Sequence, residues 1–196
     1  MARTRPDVAA DVKRAAIVEI ATRRFSEAGY EDTSMTSLAR EAGVSVNTLY
    51  WYFENKDALL VAAAEQLRTR RPPGEVTESM SFVDRLVAAS NSFDDVGRIV
   101  TAVHARMGIS PTVGAWHAQY HLHAERILMK QASRHLESAG LPGLGEGALL
   151  RLARLWVYAL DGIITHGLPQ RDRRALCVEM VAQLELAARE GGAPQV

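Results

Sequence analysis

Six of the eight side chains from Ser45 to Tyr52 carry a hydroxyl, an amide or an indole. These groups do hydrogen-bond and contact chemistry rather than bond-breaking chemistry. An Asn47 amide can pair bidentately with an adenine edge, and a Val46 methyl can touch a thymine methyl. The hydroxyls of Thr48, Tyr50 and Tyr52 suit phosphate oxygens, and Lys56 follows close behind as a cation. A second group sits far along the chain. His117 and His121 are i and i+4, the spacing for two ligands on one metal, but no acid lies between them where an HExxH site requires one. His104 and His123 could join them, yet nothing in the spacing fixes either nearby, so a solvated helix face is the default and no metal is assigned. Trp116, Tyr120, His123, Ile127 and Gln131 recur at helical spacing on the same stretch. Together with Trp156 they could wall a ligand pocket, or simply form core with a few satisfied polar groups. No Ser/His or Cys/His pair can be defended as a nucleophile and base, so the expectation is a protein without catalysis and without a cofactor.

Periodicity supplies the elements that must hold these residues. Apolar residues recur at helical spacing almost throughout, and alternating β-branched runs are nearly missing, so the chain reads as all-α. A first helix spans about Val8 to Ala28, with Ile17, Ile20, Ala21, Arg24, Phe25 and Ala28 on its inner stripe and Gly29 as a left-handed cap. Ser34 and Ser45 are N-caps for a second and a third helix, and Asn55 for a fourth that reaches about Arg70. Ala42-Gly43-Val44-Ser45 places a small residue, a bend and a restart in the order a helix-turn-helix needs. The third helix is too short to stand alone. Leu49 and Phe53 pin its inner face, which leaves Val46, Asn47, Tyr50 and Trp51 pointing outward. An outward Val, Tyr and Trp suit a docking surface, although a helical hairpin with a purely internal aromatic core fits the same residues.

Composition bounds the rest. The chain of 196 residues is 47% hydrophobic, enough for a core of its own. Cys177 is its sole cysteine, which rules out an intrachain disulfide and fits a cytoplasmic location. MARTRPDV lacks the apolar run of a signal peptide, and the most apolar stretch, Leu149 to Leu168, is broken by Arg151, Arg154 and Asp161, so no membrane span is expected. Lys plus Arg and Asp plus Glu both number 23. Any nucleic-acid contact must then come from charge placement, not bulk charge. Arg3 and Arg5, in a basic arm over 1–6, are placed as minor-groove arms are; a tail with two chance arginines reads the same. The domains predicted are a helix-turn-helix domain over 7–54, a connecting helix over 55–72 and a larger domain over 73–190. Arg71-Pro72-Pro73-Gly74 marks the boundary, and the tail over 191–196 is frayed.

From Val12 to Leu60 the sequence resembles the TetR family of bacterial regulators. Phe25, Gly29 and Tyr30 match its Phe-x-x-x-Gly-Tyr ending of the first helix. Ala42 to Ser45 match its turn, and Thr48, Leu49, Tyr50, Phe53, Lys56 and Leu59 match its Thr-Leu-Tyr-x-x-Phe-x-x-Lys-x-x-Leu run. The resemblance implies about nine helices and a homodimer bound to an operator in double-stranded DNA. It also implies phosphate contacts at Thr48, Tyr50, Tyr52 and Lys56, and base readers at Thr36, Val46 and Asn47, with Ser45 and Trp51 on the same surface. Two positions depart from the family: Asn stands at 47 where Gly, Ala or Pro is frequent, and Tyr at 52 where His is frequent. The function implied is a repressor released by a small-molecule effector. An activator or a ligand-independent regulator remains the alternative, and a metal-dependent helical enzyme using His117 and His121 is the remote one.

Three helices are delimited downstream, over about Val113 to Ala139, Glu146 to Leu168 and Asp172 to Arg189. The last two carry broad apolar stripes. Those stripes fit either an internal core or a four-helix interface with a second copy, and the resemblance favours the second. Leu152, Trp156, Ala159, Ile163, Met180 and Leu184 are the expected interface residues.

Overall fold

The computed structural model describes residues 4–70, 79–91 and 97–191. Among these residues there are nine helices and no strand. In chain order they are α1 (Thr4–Glu27), α2 (Met35–Glu41), α3 (Val46–Tyr52), α4 (Lys56–Arg70), α5 (Phe82–Asn91), α6 (Gly97–Met107), α7 (Pro111–Ser138), α8 (Glu146–Thr165) and α9 (Gln170–Gly191). The expected all-α class with about nine helices is what the described residues adopt. α1 starts earlier than its apolar stripe suggests, so Arg5 belongs to its first turn and not to a preceding arm. Pro6 is tolerated there because the N–H it lacks would have no intrahelical acceptor. Arg3, the break at 71–74 and residues 192–196 lie outside the described residues.

The chain divides into two compact units. The first gathers residues 1–71 and 95–117, so α6 and the start of α7 join α1–α4. The second holds 72–94 and 118–196, with α5, the rest of α7, α8 and α9. This corrects the division into 7–54, 55–72 and 73–190. α4 is core to the first unit rather than a connector: its Leu59, Leu60 and Ala63 are completely buried against Ile17, Ala21 and Phe25 of α1. α6 adds Ile99 and Val103, and α7 adds Val113, to the same cluster. A glycine makes the α6–α7 corner, because a Cβ on Gly114 would stand 2.6 Å from the Met107 carbonyl oxygen.

The second unit closes on Phe82 and Leu86 of α5, Leu128, Ala132 and Leu136 of α7, Trp156 of α8 and Leu184 of α9. This corrects four of the six interface residues expected on the last two helices. Trp156, Ile163, Met180 and Leu184 are buried within a single chain, and Leu152 and Ala159 are half-buried. The physical reason is α5, which periodicity alone did not delimit. Its Phe82 ring meets the Trp156 ring at 5.7 Å, and Phe82 and Leu86 share one buried cluster with Trp156, Met180 and Leu184. The large apolar residues left exposed are others: Leu155 and Tyr158 on α8, and Leu176, Val178 and Leu186 on α9.

Candidate nucleic-acid interface

Turn chemistry builds α2 and α3. Gly29, at φ 91°, closes α1 in the left-handed region open to glycine. Ser34 then caps α2: its hydroxyl accepts from the Ser37 amide at 3.1 Å, and the Ser37 hydroxyl oxygen accepts from the Ser34 amide at 3.2 Å. This is a capping box with serine in the reciprocal place. Gly43, at φ 63°, turns the chain, and Ser45 restarts it by accepting from the Thr48 amide at 3.0 Å. The expected helix-turn-helix is therefore present, with both caps at the serines expected.

The inner face of α3 is secured by Leu49, fully buried, and by Phe53 just beyond it. Arg14 of α1 lies over the Phe53 ring, 4.9 Å from its centroid. The outer face shows Asn47, Tyr50 and Trp51, with Trp51 74% exposed. The Tyr52 ring meets Trp51 edge-on at 4.7 Å, which limits the rotation of the indole. Thr36 of α2 and Ser45 are also exposed. Val46, expected to face outward, is half-buried and packs partly on the first core, as Tyr52 does. Thr48 is half-buried too, its hydroxyl 2.8 Å from that of Ser45. Five of the candidates, Thr36, Ser45, Asn47, Tyr50 and Trp51, are thus exposed on α2, α3 and the turn between them.

Lys56, expected as a phosphate anchor, is half-buried. Its Nζ donates to the carbonyl oxygens of Tyr30 at 2.8 Å and Thr33 at 3.1 Å, and lies 4.0 Å from the centroid of the Tyr30 ring. The neighbouring Asp57 accepts the Tyr30 hydroxyl at 2.6 Å and two bonds from Arg106 of α6, at 3.0 and 2.8 Å. The Arg106 guanidinium holds the Asp57 carboxyl below the usual carboxylate range, although burial opposes it. Burial first, then the bond to Asp57, pushes the Tyr30 phenol upward. Sequence reasoning missed Asp57 and Arg106. A carboxylate in a helix's first turn looks like an ordinary dipole partner, and nothing in the spacing pairs residues so far apart.

The candidate pocket residues do not form one buried face. The inner stripe of α7 in the second unit runs through Glu125, Leu128, Ala132 and Leu136. His123 and Ile127 fall off it and are exposed, while Tyr120 and Gln131 are half-buried. Trp116 belongs to the first unit, where its indole N–H donates to Glu65 at 3.1 Å, and Trp156 is core of the second. His104, His117 and His121 have local neighbours. The His117 ring meets His104 edge-on at 4.9 Å, His104 Nδ1 lies 2.9 Å from the Val100 carbonyl oxygen, and His121 Nε2 lies 2.7 Å from Asp161.

Residues 17–63 match the family model described as "Bacterial regulatory proteins, tetR family". The HTH-type transcriptional regulator HbdR of Aromatoleum sp. (strain CIB) is 46% identical over 48 residues, which is 24% of this chain and 21% of that protein. The match thus spans about a fifth of that relative's length. Among solved structures, a transcriptional regulator from Rhodococcus sp. Rha1 superposes with a TM-score of 0.68 at 18% identity, covering 90% of this chain and 97% of that one. BioQ, solved with its double-stranded DNA operator, gives a TM-score of 0.61 at 23% identity, covering 88% and 98%. At these identities the structures share the fold with this chain.

Proposed function

We propose, on the premise of the tetR-family match through residues 17–63, that the chain is a transcription regulator that binds operator DNA with α2 and α3. The observation that carries this reading is the outer face of α3. Asn47, Tyr50 and Trp51 are exposed on a helix whose inner side is fixed by Leu49 and Phe53. Leaving that much apolar and amide surface in water is costly unless it docks something. A helix of this kind enters the major groove, with Asn47 against a base edge and the Tyr50 hydroxyl on phosphate. Thr36, Ser45 and Trp51 lie beside them, with Thr48, Tyr52 and Val46 at the margin. BioQ, which shares the fold, was solved on such an operator.

A second copy of the chain completes the reader. Leu155 and Tyr158, close to one turn apart on α8, are 63% and 62% exposed, and Val178 and Leu186 are exposed on α9. These replace the buried residues as the dimer face, because only exposed apolar area is left to be covered by a partner. Two copies of α3 would then read two half-sites. The regulator acts as a repressor, released when a small molecule binds the second unit, where Tyr120 and Gln131 are half-buried on α7.

Selection of bound duplexes from a random pool tests the first part. One enriched sequence with two related half-sites is expected, and a pool that stays random would end the proposal. Sedimentation at micromolar concentration tests the dimer. A panel of small molecules, scored first by raised melting temperature and then by loss of the selected duplex, tests release.

A further inference from the structure

The first turn of α4 grips the turn before α2 at several points. Lys56 Nζ holds the carbonyl oxygens of Tyr30 and Thr33, and its charge sits over the Tyr30 ring. Asp57 holds the hydroxyl of the same tyrosine. Thr33 is buried, and its own hydroxyl donates to the Gly29 carbonyl at 2.7 Å, so the turn over 29–33 is tied at both ends. The next residue is Ser34, the N-cap of α2.

We propose that Lys56 serves DNA recognition as a positioning residue: it pins the turn over 29–33, which fixes where α2 and therefore α3 begin, and it does not anchor a phosphate. An ammonium has three donors. Two of these end on carbonyl oxygens that also partly neutralise the charge, and the ring face takes a further share. To reach DNA the side chain would have to abandon a half-buried site and release the turn that sets the register of α2. From α4, the Asp57 carboxylate reaches only the phenol end of Tyr30, whereas Lys56 holds the backbone of the turn itself.

This inference rests on the reading of α2 and α3 as the DNA-binding pair. The experiment uses the full chain and the duplex selected by the wild-type protein. Affinity is measured across a salt series for Lys56→Gln and Lys56→Arg, and amide hydrogen exchange is measured without DNA. A positioning lysine predicts roughly tenfold weaker binding by both variants, with the slope of log K against log salt unchanged for Lys56→Gln. It also predicts faster exchange in the turn over 29–33 and the first turn of α2. Lys56→Arg keeps the charge but offers a wide planar fork in place of a point donor, so it separates charge from geometry and decides the matter if the Gln variant misfolds. A phosphate anchor predicts the reverse: wild-type affinity for Lys56→Arg, a slope lowered by about one per contact for Lys56→Gln, and unchanged exchange. That result would overturn the assignment while leaving DNA binding intact. A wild-type protein that selects no duplex would instead overturn the DNA reading itself, and this assignment with it.

Discussion

The outer face of α3 and the exposed strip of α8 and α9 both leave large side chains in water, yet they are made differently. α3 has seven residues and cannot persist by itself. Caps, glycines and half-buried polar ties around Tyr30 and Asp57 fix it, so its exposed residues stand in set positions. α8 has 20 residues and α9 has 22, and their inner sides already close the second core. Leu155 and Tyr158 need no special geometry there; they offer area. The contrast suggests that a surface reading a pattern needs rigid supports behind it, while a surface that pairs with a copy of itself needs mainly uncovered apolar area.

The sharpest way to break this contrast is to attack the core and the strip of the second unit separately. Leu184→Ala should cost about 2–5 kcal/mol in denaturant unfolding, because Leu184 is completely buried. A joint Leu155→Glu and Tyr158→Glu change should leave the fold intact and yield monomers by light scattering. If the two glutamates unfold the chain instead, the strip is core and the contrast fails.

The next effect concerns the supports of the first unit. Asp57→Asn should cost about 1.5–3 kcal/mol, the usual range for hydrogen bonds to charged groups. Its pH dependence has a definite sign. The folded Asp57 carboxyl is lowered by Arg106, so its contribution is fully present above the ordinary value near ~3.9 and is lost as pH falls through the lowered folded value. Urea titrations at several acid pH values should show this limb in the wild type, and a smaller one in Asp57→Asn.

On the reading face, Asn47→Ala should cost about 1–3 kcal/mol on the selected duplex and relax preference at one base pair per half-site. Non-specific affinity should hardly change; identical preferences at every position would make Asn47 a spacer. The smallest effect belongs to Tyr50→Phe. It should lose about 0.5–1.5 kcal/mol on all sequences alike, as a phosphate contact does. Sequence-dependent loss at this position would move Tyr50 from anchor to reader.

The same contrast explains what could be read before folding. Ser34, Gly43, Ser45 and the pair Leu49 and Phe53 act on their own neighbours along the chain, so their roles follow from order and spacing. Trp156 and Leu184 were legible as apolar but not as inner or outer, since a helical stripe does not say which element covers it. The cover was α5, a short helix in a stretch whose pattern gave no clear limits. On α7 the 3.6-residue period admitted two stripes, and the one through Leu128 turned inward rather than the one through Ile127. Asp57 and Arg106 were illegible for a different reason: 49 residues separate the partners of that ion pair.

The split make-up of the first unit has a consequence for how the chain is made. Its core joins Ile17, Phe25 and Leu60 to Ile99, Val103 and Val113. During synthesis α1 to α4 emerge first, but the apolar seam they share with α6 stays open until residues 95–117 have left the ribosome. Folding of the recognition end is thus delayed by the passage of α5, a part of the other unit. An isolated piece ending at residue 71 would carry every exposed group of the reading face and none of the lid over its core. Such a piece would be prone to aggregate, as partly folded intermediates with bare apolar surface are.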